Sequence, residues 1–87
     1  MGPEPEALSE SQTSMLRFEA RWPKHTAKKE EAIRSTFGIP ASRYYQRLYA
    51  ITSVPAALLF DAVLIHRIER ARDERASLRA RRTLRPR

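Results

Sequence analysis

Cysteine is absent from this chain of 87 residues, and glycine occurs only twice. Without cysteine neither a disulfide nor a thiolate metal site can stabilise so short a chain, so we expect helix packing to hold one small domain together. Long apolar runs are also absent. The longest, residues 54–65, contains Asp61 and falls short of the ~20 residues of a membrane span. No secretory leader is recognisable at the N-terminus, so we expect a cytoplasmic protein that makes no membrane contact.

Acidic residues are scarce in the middle of the chain, and none occurs between Glu31 and Asp61. The net charge is +7. Residues 1–14 hold three acidic and no basic residues, whereas residues 66–87 hold nine basic and three acidic ones. Positive charge therefore increases toward the C-terminus, a distribution that indicates a polyanionic partner.

The spacing of apolar residues predicts helices, and no period-2 alternation typical of strands occurs. We therefore expect an all-α fold, with a three-helix helix-turn-helix core and a long basic C-terminal helix. The predicted helices span about 9–22, 27–37 and 41–52, with a last one starting at Asp61. The predicted divisions are a disordered acidic tail at 1–10, a helix-turn-helix domain at 11–60, and the basic C-terminal helix and tail at 61–87.

The segment Phe37-Gly38-Ile39-Pro40 lies between the second and third predicted helices. Gly38 tolerates the positive φ that ends a helix in such a turn, and Pro40 suits the first turn of a new helix. Two features depart from the usual helix-turn-helix pattern: Arg34 stands where a small residue is common, and Pro40 where Ser is common. Short helix–glycine–helix turns also occur in proteins that bind no nucleic acid, and this alternative stays open.

The outer face of the third helix carries the side chains that favour DNA over other partners. Arg43 and Gln46 are three residues apart, so they project from one face, and they are the types that read guanine and adenine in the major groove. Other residues are expected to hold the phosphate backbone. These are Ser42, Tyr45, Arg47, Tyr49, Lys28, Lys29, Arg79, Arg81 and Arg82.

Two further kinds of partner are compatible with the sequence. A protein-interaction module that docks on RNA polymerase or a sigma factor is favoured by an aromatic surface at Tyr45 and Tyr49. RNA is less favoured because no RNA-binding signature is visible. The last helix also carries an apolar line, interrupted by Arg75, that would form a short homodimer seam. The seam consists of Leu64, Ile68, Ala71 and Leu78.

Catalytic patterns are missing from the sequence. His25 and His66 lie in different helical regions, with no nucleophile or carboxylate at a telling spacing. Tyr44 and Tyr45 are better explained as core and phosphate-binding residues than as nucleophiles. We expect no enzymatic activity, no metal site and no cofactor.

Four segments carry a resemblance to a known family. They are residues 18–22, 29–34, 37–38 and 43–48, the last reading Arg-Tyr-Tyr-Gln-Arg-Leu. This pattern resembles a family of short, basic actinobacterial proteins known mainly as a domain of unknown function with inferred helix-turn-helix character. The resemblance covers roughly residues 16–72 and implies a small DNA-binding or regulatory protein. We therefore expect a transcriptional regulator or a nucleoid-associated protein.

Overall fold

A computed structural model describes residues 7–83. Within this range the chain forms helices and no strand, which confirms the all-α prediction. The helices are α1 (Glu10–Arg21), α2 (Ala27–Phe37), α3 (Ala41–Ile51), α4 (Pro55–Phe60) and α5 (Ala62–Thr83).

Short polar side chains cap the first two helices. The Ser9 hydroxyl accepts a hydrogen bond from the Gln12 amide at 3.1 Å, and the Ser9 amide donates to Gln12 Oε1 at 2.9 Å. This reciprocal capping box satisfies two amides that the helix leaves unpaired. At α2 the Thr26 hydroxyl accepts from the Lys29 amide at 3.1 Å. Leu8, which belongs to the predicted acidic tail, packs against the core. The rest of the predicted acidic tail, residues 1–6, lies outside the described residues.

The turn between α2 and α3 is built from Gly38, Ile39 and Pro40. Gly38 has a φ of 69°, and its amide donates to the Arg34 carbonyl at 2.9 Å. A residue with a side chain is strained at this φ, which explains the glycine. Pro40 stands at the N-cap position of α3. It precedes α3 in an extended conformation, and its carbonyl accepts from the Tyr44 amide at 3.1 Å.

One apolar core joins all five helices. Around the turn between α2 and α3, the residues Ile33, Tyr44 and Leu48 are fully buried, whereas Phe37 and Ile39 are partly buried. Helix α5 starts at Asp61, whose carboxylate accepts from the Leu64 amide at 3.0 Å. Its first two turns then complete the core, which is made of Met15, Leu16, Phe18, Ile33, Tyr44, Tyr45, Leu48, Ile51, Ala57, Leu64, Ile65 and Ile68.

The homodimer seam predicted along α5 is wrong in its first half. Leu64 and Ile68 are buried inside the chain's own core, so they cannot face a second copy. Ala71 and Leu78 are exposed, because α5 extends beyond the core after Ile68. The spacing of apolar residues along a helix predicts that one face is buried, but it does not distinguish burial in the chain's own core from burial against a second copy. Among the helices at residues 7–83, none has both the length and the apolarity to cross a membrane.

Candidate nucleic-acid interface

The outer face of α3 is the most exposed part of the predicted helix-turn-helix. Ser42, Arg43 and Gln46 are all exposed and line one shallow concavity, bordered by Pro40 and Tyr49. The structure thus brings together both residues predicted to read bases and one residue predicted to hold phosphate. They share a face because positions three and four apart lie next to each other on a helix.

Arg47 is exposed but belongs to a different surface. It lines a groove between α3 and α1 together with Ser11, Gln12 and Val54. Arg47 therefore lies beside the face that carries Arg43 and Gln46 and not within their concavity.

Tyr45 also lines this concavity but is almost completely buried, which corrects the prediction that it contacts phosphate. It is only 9% exposed, and its hydroxyl shares a hydrogen bond of 2.9 Å with His25 Nδ1. The Arg75 guanidinium covers its ring at 4.6 Å from the centroid. Both the hydroxyl and the ring face of Tyr45 are therefore occupied within the chain.

Lys29 is also buried, so the prediction that it holds phosphate is wrong. The residue is 1% exposed, and its amine donates to Glu19 Oε1 at 2.7 Å. The Tyr44 hydroxyl donates to the same oxygen at 2.8 Å. The Lys29 amine also lies 5.0 Å from the Tyr45 ring centroid, a distance typical of a cation–π contact.

The sequence held a signal for this cluster. Lys29 is four residues before Ile33 and eight before Phe37, which places it on the inward face of α2. Glu19 is three residues after Leu16 on the inward face of α1. Opposite charges on two facing apolar stripes indicate a buried ion pair, because an unpaired buried charge is too costly.

The cluster does not prepare Tyr44 for catalysis. Burial, then the nearby Glu19 charge and the hydrogen bond to it, raise the pKa of Tyr44 well above its ordinary value. A nucleophilic tyrosine needs the opposite shift, because the phenolate is the reactive form. Tyr44 is therefore a core residue that donates a hydrogen bond.

Two arginines of α5 hold this helix against α3, and the predicted site did not include them. Arg75 Nη1 donates to the Tyr49 hydroxyl at 3.1 Å, in addition to covering Tyr45. The Arg72 guanidinium lies 5.7 Å from the Tyr49 ring centroid. The later α5 residue thus contacts the earlier α3 residue, so the two helices run in opposite directions along this contact. We call Tyr45, Tyr49, Arg72 and Arg75 the arginine–tyrosine clamp.

Beyond the clamp, α5 continues in the direction of the first turn of α3. One helical turn beyond Arg75 leads to Arg79, and one turn back from Tyr45 leads to Ala41; each step is about 6 Å along its helix. Arg79, Arg81 and Arg82 are exposed in these last turns of α5. These three arginines follow the part of α5 that packs against Tyr45 and Tyr49 of α3.

Lys28 is exposed at the start of α2 but has a mixed electrostatic environment. The outer face of that helix also carries Glu30 and Glu31, which line a groove with Arg34. Glu30 pairs with His25 at 3.3 Å. The α3 face has no acidic residue of its own, so it is the more favourable of the two surfaces for a polyanion.

Tyr49 is half-buried and engaged by both Arg72 and Arg75. Because Tyr45 is also buried, these two rings expose less aromatic surface than the sequence predicted for docking on RNA polymerase or a sigma factor. The aromatic rings instead form the contact between α3 and α5.

Comparison with known proteins identifies a family but no activity. No curated protein and no solved structure matches the chain. A family model described as a protein of unknown function matches residues 7–81, nearly the whole described range. The resemblance expected from the sequence is thereby confirmed at the level of a family without an assigned function. The chain belongs to this family of proteins of unknown function, DUF3263.

Proposed function

We propose that this chain binds duplex DNA, with α2 and α3 forming a helix-turn-helix and α3 lying in the major groove. In this arrangement Arg43 and Gln46 read base edges. Ser42, Arg47 and Tyr49 contact the phosphate backbone on either side of the groove. Arg79, Arg81 and Arg82 hold phosphates from the end of α5.

The observation that carries the proposal is the pairing of the α3 face with the arginine-rich end of α5. An exposed Arg and Gln on an acid-free helix face provide base-reading groups. The arginine–tyrosine clamp attaches α5 to the opposite flank of the same helix. Base readout supplies specificity, while phosphate contacts supply most of the affinity, and the helices that carry the two kinds of group pack against each other.

The start of α3 supports a phosphate contact. Pro40 precedes the helix and makes no side-chain cap. The amides of Ser42 and Arg43 in the first turn therefore have no side-chain acceptor before them, and an anion suits this position. A phosphate there would hold the start of α3 at the backbone beside the groove and fix the orientation of the helix.

A protein of this kind acts as a transcriptional regulator or as a nucleoid-associated protein, and it would be located on the nucleoid. The two roles differ in how strongly the protein prefers one sequence. A regulator binds its site far more tightly than random DNA, whereas a nucleoid protein shows a small preference and a steep salt dependence.

A selection from random duplexes, followed by titrations, tests the proposal. The selected duplex, a shuffled duplex, the single strand and the matching RNA are each titrated at two salt concentrations. We expect the duplexes to bind best and their affinity to fall steeply with salt. Stronger binding to RNA or single-stranded DNA, or no binding to duplex at low salt, would contradict the proposal.

A further inference from the structure

Large apolar side chains are exposed where α4 meets α5. Leu59 and Val63 are 80% and 79% exposed, and Leu58 and Phe60 are also exposed. We call these four residues the corner patch. A contiguous apolar surface of this kind on a small protein marks an interaction site more often than scattered single residues do.

The fold explains why these side chains point outward. Helix α4 directs Ala57 into the core, and α5 directs Leu64 and Ile65 there. The residues between these positions form the outside of the corner, where Asp61 caps α5. These exposed residues are apolar, whereas exposed connections between helices usually carry polar residues.

Charge at the corner patch differs from that of the rest of the surface. Asp61 is the one charged residue between Arg47 and Arg67, whereas the whole chain carries a net charge of +7. A nucleic acid therefore finds no attraction here. Two copies of this basic chain repel each other, and contact through a segment with few basic residues lowers that repulsion.

The surface next to the patch provides a matching rim. Val63 lies at the end of a shallow groove along α5 that His66, Glu69, Arg70 and Asp73 continue. The groove carries both signs of charge, so an antiparallel copy can place its basic residue near the acidic residues of the first. An apolar centre with a polar rim is the common anatomy of a protein interface.

We propose that a second copy of this chain covers the corner patch through a two-fold symmetric contact. In such an interface the same patch of each copy faces that of the other, so the apolar residues of one copy bury those of its partner. The largest apolar patch of a typical monomeric protein exposes about 300–600 Å². A stable interface buries about 800 Å² per partner, so the patch and its rim together predict a weak dimer that forms as concentration rises.

Self-association through the corner patch does not require DNA binding. If the proposed DNA binding is also correct, the dimer carries two α3 helices. Two recognition helices on one assembly would read two half-sites, which increases specificity beyond that of a single short helix.

Sedimentation equilibrium without DNA tests the proposal directly. For the wild-type chain we expect the average mass to rise with concentration from 10.1 kDa toward twice that value. The double variant Leu59→Glu with Val63→Glu should stay at the monomer mass throughout, because four buried carboxylates would meet at the two-fold contact. Both positions are exposed, so thermal unfolding should show that the variant still folds.

Leu78→Glu is the matched control, because Leu78 is exposed on α5 but lies outside the corner patch. This variant should associate like the wild type. A wild-type chain that stays monomeric at every concentration would overturn the proposal and leave the patch for a different protein. A dimer that persists in the double variant, or that Leu78→Glu abolishes, would place the interface elsewhere and overturn it too.

Cross-linking gives a second measurement that does not rely on introducing charge. Because the natural chain has no cysteine, Val63→Cys and Leu78→Cys each carry a single thiol. A short bis-maleimide should join two copies of Val63→Cys and leave Leu78→Cys largely monomeric. Equal cross-linking of the two variants would count against the corner patch.

Discussion

The amine of Lys29 lies 2.7 Å from Oε1 of Glu19, with both side chains almost completely buried between α1 and α2. The same carboxylate oxygen accepts the Tyr44 hydroxyl from α3. One oxygen thus links the three helices of the core. Because two opposite charges neutralise each other here, Lys29 adds nothing to the basic surface of the protein.

Lys29→Met should strongly destabilise the fold. The substitution leaves the Glu19 carboxylate buried without its cation, and breaking a buried pair in this way costs about 3–5 kcal/mol. Urea unfolding measures the loss. Lys28→Met is the control, because it removes the neighbouring but exposed lysine and should change stability by about 0.5 kcal/mol or less.

Adding Glu19→Gln to Lys29→Met should recover part of the lost stability. The amide oxygen of glutamine can still accept from Tyr44, while the unpaired buried charge is gone. The two substitutions are therefore expected to be non-additive, as for residues that share one interaction. Simple addition of the two single losses would show that the pair is not coupled as the structure describes.

Local signals in the sequence predicted the helix boundaries well. Ser9, Thr26, Gly38 and Asp61 each act through atoms a few residues away, so their roles can be inferred from the sequence alone. The same holds for the outward position of Arg43 and Gln46, which follows from the inward position of their neighbours on α3.

The roles of Lys29 and Tyr45 could not be predicted in the same way. Each is occupied by partners from other helices: Glu19 for Lys29, and His25 and Arg75 for Tyr45. A lysine or a tyrosine in isolation is typical of a surface, and only the tertiary contact reverses that expectation. Leu64 and Ile68 could not be assigned from the sequence for the same reason, because their packing partners are other helices of this chain and not a second copy.

Tyr44 should make the stability of the protein depend on pH in the alkaline range. Burial and the Glu19 contact raise its folded-state pKa above the ordinary value of 10.0. The folded state thus holds the proton more tightly than the unfolded chain does. Its contribution is fully present below about pH 10 and is lost as the pH rises above that value, at up to about 1.4 kcal/mol per pH unit.

Tyr44→Phe isolates this effect. The variant keeps every other tyrosine and lysine, so the difference between its unfolding free energy and that of the wild type reports on Tyr44 alone. It should be less stable by about 1 kcal/mol at neutral pH, because Glu19 loses a donor. Above about pH 10 the difference should shrink. Parallel curves up to about pH 11 would contradict the expected titration.

Arg43→Ala should weaken binding to a selected duplex by about 1–3 kcal/mol and relax the preference at one base pair. The physical reason is the loss of a bidentate contact that only one base satisfies. Competition titrations with selected and shuffled duplexes measure both effects. Arg34→Ala is the control, because Arg34 is equally exposed but shares its groove with Glu30 and Glu31 on α2. Equal losses on both duplexes would contradict base reading by Arg43.

Arg81→Ala with Arg82→Ala should change the salt dependence of binding rather than its sequence preference. Each phosphate contact releases counterions and contributes about 0.9 to the slope of log affinity against log salt, so the slope should fall by about 2. The preference for the selected over the shuffled duplex should stay the same. Fluorescence anisotropy at a series of salt concentrations measures both quantities.

The matched control for this pair is Arg17→Ala with Arg21→Ala, which removes the same charge from the exposed side of α1. If the end of α5 contacts phosphates beside α3, the control should alter the slope of log affinity against log salt much less than Arg81→Ala with Arg82→Ala does. A general effect of net charge would reduce the slope equally in both double variants. That result would remove the end of α5 from the interface, although Arg43 and Gln46 could still read bases, because the two contributions are measured separately.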